Sequence, residues 1–121
     1  KIIFTGAISL EEVYNFLRYS KLHVSASREE AFGLVNVEAL SVGTPIMANK
    51  VGGITDIVED GSNGYFFDPD RNGDFVLKAK RIIDGDWDNY SKNARESYIK
   101  NHFASKKNLH HHAKKLISIL N

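Results

Sequence analysis

Residues 28–45, REEAFGLVNVEALSVGTP, set two carboxylates, Glu30 and Glu38, eight positions apart around an apolar run that holds Gly33, and close on Gly43-Thr44-Pro45. The run FGLVNVEALSVG reads as a helix that begins near Ala31 or Phe32 and is stopped by Gly43, the residue type that most readily takes the left-handed conformation ending a helix. KLHVSAS before it and TPIMANK after it are short runs rich in β-branched and apolar residues, and both read as strands; Pro45 is tolerable at the first position of the second. A strand, a helix and a second strand in close succession predict a parallel pair joined by a helical crossover.

The same alternation extends in both directions. KIIF, residues 1–4, reads as a buried strand stopped by Thr5-Gly6. In SLEEVYNFLRYS, Ser9 and Glu12 have capping-box spacing, and Leu10, Val13, Tyr14 and Leu17 fall on one helical face. Downstream, ITDIVED reads as a short helix, GSNG as a turn and YFF as a fourth strand. Helical stripes follow from Asp74 to Gly85, from Trp87 to Ile99, and after Ser105. The expected fold class is α/β: a Rossmann-like parallel sheet with flanking helices, as one partial domain over residues 1–121. Four strands leave a sheet edge that could recruit a second copy of the chain.

Composition narrows the function classes. A chain of 121 residues is the size of one domain, and 42% hydrophobic with 26% charged residues describes a globular chain rather than a disordered one. The net charge of +1 gives no field that would hold nucleic acid, although bases are enriched after Lys92. There is no cysteine, which excludes disulfides and thiolate metal sites. No apolar run approaches the roughly 20 residues of a membrane span. An intracellular, cytoplasmic chain is expected, and its start inside KIIFTG without methionine reads as a piece of something longer.

In an open parallel sheet, ligands bind beyond the carboxyl ends of the strands, where loops meet helix N-termini. The loop SASREEAFG would sit there. A helix start offers unpaired N–H groups and a positive dipole end to a phosphate, and Gly33 lets a ligand approach the backbone. Carboxylates repel phosphate but accept hydrogen bonds from hydroxyls, so Glu30 and Glu38 suit hydroxyl groups flanking it. On one regular helix the two would lie about 80° apart, whereas Glu30 ahead of the helix lets one acid face each side of the ligand. Hydroxyls, then diphosphate, then hydroxyls describe a nucleotide sugar.

EAFGLVNVE resembles the signature of retaining glycosyltransferases with the GT-B fold, two glutamates separated by seven residues. The flanks agree: FTG upstream, EALSVGTPIMA continuing, then VGGITDIVEDGSNGYFFDPD. The resemblance covers about residues 1–70 and implies the C-terminal, donor-binding domain of a family 4-type enzyme (glycosyl transferases group 1). It implies that Glu30 contacts hydroxyls of the donor sugar and that Phe32, Gly33 and Leu34 lie along that sugar. Val35 and Glu38 would take the diphosphate and ribose, with Gly6 a turn glycine near the nucleotide. No cofactor or metal is implied, and no catalytic residue falls within these 121 positions. The implied partners are a UDP- or GDP-linked sugar, an acceptor glycan or glycolipid, and an N-terminal domain of the same enzyme, with possible contact at the inner face of a membrane. Ala31 stands where the family usually has glycine and Ala26 where proline is frequent, both matters of loop shape.

Other features have plainer readings. His110, His111 and His112 precede a helical pattern that would point them about 100° apart, so they do not suit one ion. SKKNLHHHAKKL reads as a solvated basic face, and Trp87, Tyr90 and Tyr98 as core. Gly52 and Gly53 are turn glycines that could also line the donor pocket, and Asp56 and Glu59 face solvent. The competing function classes are a noncatalytic Rossmann-like binding or assembly module, and a receiver-like domain, which would need a cluster of acids at strand ends that the sequence lacks.

Overall fold

The computed structural model describes residues 1–29 and 33–102. The Ser9 hydroxyl accepts the Glu12 N–H while Glu12 Oε2 accepts the Ser9 N–H, and this capping box opens α1, Leu10–Tyr19. Then come β1 (His23–Ser25), α2 (Leu34–Ser41), β2 (Ile46–Ala48), a 3₁₀ turn at Gly52–Asp56, β3 (Gly64–Phe66), α3 (Asp74–Ile83) and α4 (Trp87–His102). The three strands form a parallel sheet in the order β1-β2-β3, with Val24 opposite Met47 and Met47 opposite Tyr65. This is the Rossmann-like arrangement expected.

β2 is buried along its whole length because it is covered on both faces. Its alternate side chains divide the core. Ile46 and Ala48 join Leu17 of α1, Val37 and Leu40 of α2 and Ala94 of α4 on one side; Met47 meets Phe67, Ala79 and Ile82 on the other. α4 serves both layers, since Trp87 and Tyr90 pack against the Met47 side while Ala94 and Tyr98 belong to the Ile46 side. Gly64 begins β3 because nothing larger fits: a Cβ there would lie 1.9 Å from the Ile46 carbonyl oxygen.

Three expectations are corrected. Residues 1–4 are not a strand: Ile2, Ile3 and Phe4 are 84%, 70% and 94% exposed, and no described strand pairs with them. A β-branched run becomes a strand only where a neighbour offers backbone partners. ITDIVED is not an α-helix: only residues 54–56 belong to a 3₁₀ turn, Gly52–Asp56, and the rest runs on as irregular chain to a bridge at Asp60. Finally, α2 starts after Gly33, not at Ala31 or Phe32. The expected last helix and the histidine run lie outside the described residues.

Candidate functional site

Among the described residues, no side chain caps the start of α2. Gly33 is the N-cap residue with φ 72° and ψ 53°, left-handed backbone that glycine adopts without strain, and it has no side chain to offer. No acidic residue occupies the first turn. The first intrahelical bond runs from Asn36 N–H to Gly33 O at 2.9 Å, so the N–H groups of Leu34 and Val35 stand ahead of it. Both of these residues are exposed, whereas Gly33 is buried. Such a terminus presents donors and a positive dipole end outward.

Glu38 lies one turn further along α2 and is 6% exposed, which is unusual for a carboxylate in the middle of a helix. Its charge is felt at Tyr14 of α1. Burial, then the charge of Glu38, then Tyr98 push the Tyr14 phenol well above its ordinary range. Tyr14 itself is fully buried. Nothing in the sequence around Glu38 announces this burial, since an acid within a helical run reads as a solvent-facing residue.

Of the residues singled out by sequence, Gly33, Leu34 and Val35 form the open helix start and Glu38 sits just beyond it. Gly6 is exposed in irregular chain ahead of α1, at φ 64°, with nothing within 4 Å of where a Cβ would stand. Glu30 and Phe32 lie outside the described residues. Asp56 and Glu59 are exposed and Tyr98 is buried, as expected; Trp87 and Tyr90 are half-buried against the core.

Sequence reasoning missed a cleft of about 540 Å³ beyond the carboxyl ends of the strands. Its walls come from Arg28 after β1, Asn49, Lys50 and Val51 after β2, and the segment from Phe66 to Arg71 after β3. Asn49 ties two of these loops together, its Nδ2 donating to Ala26 O at 3.3 Å and Ser27 O at 3.1 Å. Neither Glu38 nor the residues from Gly33 to Val35 line it, nor do Gly52 and Gly53. Its cations come from three loops and from Lys78 of α3, distant in sequence, so no local motif marks it. Among the described residues no group of three or more His, Asp or Glu side chains could hold a metal ion, and no helix is long and apolar enough to cross a membrane.

Residues 1–116 match the family described as Glycosyl transferases group 1. The chain belongs to this family. An uncharacterized glycosyltransferase of Methanocaldococcus jannaschii is 36% identical over 81 residues, which is 67% of this chain and 23% of that protein. The glycosyl transferases group 1 chain thus spans about a quarter of the length of that relative. Among solved structures, sucrose-phosphate synthase from Thermosynechococcus elongatus superposes with a TM-score of 0.76 at 27% identity, covering 96% of this chain and 30% of that one. Anabaena HepE, solved in complex with UDP and glucose, superposes with a TM-score of 0.65 at 26% identity, covering 75% of this chain and 25% of that one. The fold is therefore the Rossmann-like unit of GT-B glycosyltransferases, as the sequence resemblance implied.

Proposed function

We propose that this group 1 chain is the donor-binding unit of a retaining glycosyltransferase, which moves a sugar from a nucleotide sugar to an acceptor hydroxyl. The observation that carries the proposal is the start of α2 at the left-handed Gly33, where no described side chain caps the helix, followed by the nearly buried Glu38. The N–H groups of Leu34 and Val35 would hold the donor diphosphate, and the same dipole end would stabilise the leaving diphosphate as charge develops on it. Glu38 would accept hydrogen bonds from ribose hydroxyls and Glu30 from hydroxyls of the transferred sugar, with Phe32 and Gly33 along its ring. Both acids have binding roles and no metal takes part. Gly6 would border the nucleotide.

The related structure of HepE with UDP and glucose supports a uridine or similar nucleotide as the donor's carrier. Transfer itself also needs an acceptor-binding domain, so turnover belongs to the whole protein and not to these residues alone. The acceptor is proposed to be a glycan or glycolipid met in the cytoplasm or at the inner face of the membrane. The outer edge of β1, where Val24 is exposed, is the proposed contact for any pairing of two copies.

Isothermal titration with UDP and GDP tests the reading. Saturable binding to one of them is expected, and Glu38→Gln, which keeps shape but loses charge, should weaken it at least about tenfold, as a charge-assisted hydrogen bond is worth about 1.5–3 kcal/mol. Absence of binding to both by the folded chain would favour a noncatalytic module.

A further inference from the structure

We propose that the cleft at the carboxyl ends of β2 and β3 binds a phosphorylated sugar, at a subsite separate from the α2 terminus and Glu38. Three cations from three loops converge on it, Arg28, Lys50 and Arg71, all exposed and without an ion pair among the described residues. The carboxylates beside them have hydrogen-bond partners of their own. Asp74 Oδ2 accepts the Asp68 N–H at 2.9 Å and pairs with Lys78 at 3.0 Å, and Asp68 Oδ1 accepts the Asp70 N–H. The Asp68 N–H and then Lys78 hold the Asp74 carboxyl below the ordinary carboxylate range. Lys78 is spent as well, since its ammonium also donates to Phe66 O at 2.8 Å. Asp68 and Asp74 keep their charges, and Arg71 also acts on Asp74, but four cations against two carboxylates leave the lining net positive.

Like charges gathered around one concavity repel one another, and a bound anion relieves that repulsion. Arginine's planar fork matches a phosphate's oxygens in pairs, whereas lysine adds a point charge. The floor between the cations is apolar: Val51, Pro69 and the ring of Phe66, over which the Lys50 ammonium stands at 5.6 Å from the centroid. An inorganic ion would leave that floor wet. A sugar ring places C–H groups against an aromatic face and its phosphate among the cations, and the cleft's volume of about 540 Å³ accommodates a group of that size.

This inference uses neither Glu38 nor the α2 terminus, so it and the nucleotide reading fail separately. Calorimetric titration of the chain with glucose 6-phosphate, glucose, inorganic phosphate and UDP tests it at low salt. Glucose 6-phosphate is expected to saturate, glucose not to bind, and inorganic phosphate to bind at least about fivefold more weakly. Arg71→Gln and Lys50→Gln alter exposed side chains and should each weaken glucose 6-phosphate severalfold while leaving UDP unchanged. The inference is overturned if glucose 6-phosphate does not saturate, if both variants bind it like the parent, or if inorganic phosphate binds equally well. It is also overturned if UDP excludes it competitively, since the cleft would then be the nucleotide's own diphosphate pocket.

Discussion

Asn63 joins the turn before β3 to α4, and removing its side chain should cost about 3 kcal/mol of stability. The residue is fully buried. Its Oδ1 accepts the Glu59 N–H at 2.8 Å, while its Nδ2 donates to Ile57 O at 3.1 Å and to Ser97 Oγ at 2.9 Å. Three hydrogen bonds, two of them fully buried, at about 1 kcal/mol each set the figure, and the stranded carbonyl of Ile57 keeps it from being smaller. For a chain of this size that corresponds to a fall in Tm of about 12 °C. Urea unfolding of Asn63→Ala followed by circular dichroism measures it. Ser97→Ala removes one of the same bonds, so the double variant should be less destabilised than the two single losses added together, by about 1 kcal/mol. A loss below about 1 kcal/mol for Asn63→Ala, or strict additivity with Ser97→Ala, would refute the reasoning.

Gly64→Ala drives a Cβ to 1.9 Å from the Ile46 carbonyl oxygen in the middle of the sheet, so urea unfolding should show a loss above about 3 kcal/mol or no cooperative transition. His23 is held neutral by burial, which lowers its folded pKa below 6.5 against an opposing effect of Asn36. The unfolded chain therefore takes up this proton first as pH falls; stability should be level above about pH 7 and decline from pH 6.5 toward 5.5, a slope that His23→Gln flattens in urea titrations. Tyr14 buries a hydroxyl that has no hydrogen-bond partner, so Tyr14→Phe should leave thermal stability unchanged or raise it by about 1 kcal/mol.

How far the sequence could be read depended on whether the deciding interaction was local. The capping box of Ser9 and Glu12 is complete within four residues, and α1 begins where it says. Gly43 ends α2 region as expected, with φ 80° just past the helix. The strands around Val24, Met47 and Tyr65 were legible because short apolar runs bounded by turn residues have few alternatives in a parallel sheet. KIIF has the same composition and is no strand, because pairing depends on a neighbour and not on the run itself. The start of α2 was misplaced because AFGL continues its apolar pattern, and only the left-handed backbone of Gly33 marks the boundary. At the candidate site, Gly33 and Glu38 belong to one contiguous motif, and the structure sets them at the start of α2 and one turn into it. The burial of Glu38 is a tertiary property of the packed helices, and the cationic cleft is assembled from Arg28, Lys50 and Arg71 on three loops. Side chains so far apart in sequence leave no spacing to recognise.

The central claim is that the open start of α2 receives the nucleotide's diphosphate. Amide NMR of the chain during titration with UDP tests it most directly, because it reports on the backbone donors themselves. The account predicts saturable shifts of the Leu34 and Val35 amides that Glu38→Gln moves to higher UDP concentration. Saturable UDP binding that leaves both amides unmoved, and shifts only those around Lys50 and Arg71, would contradict it.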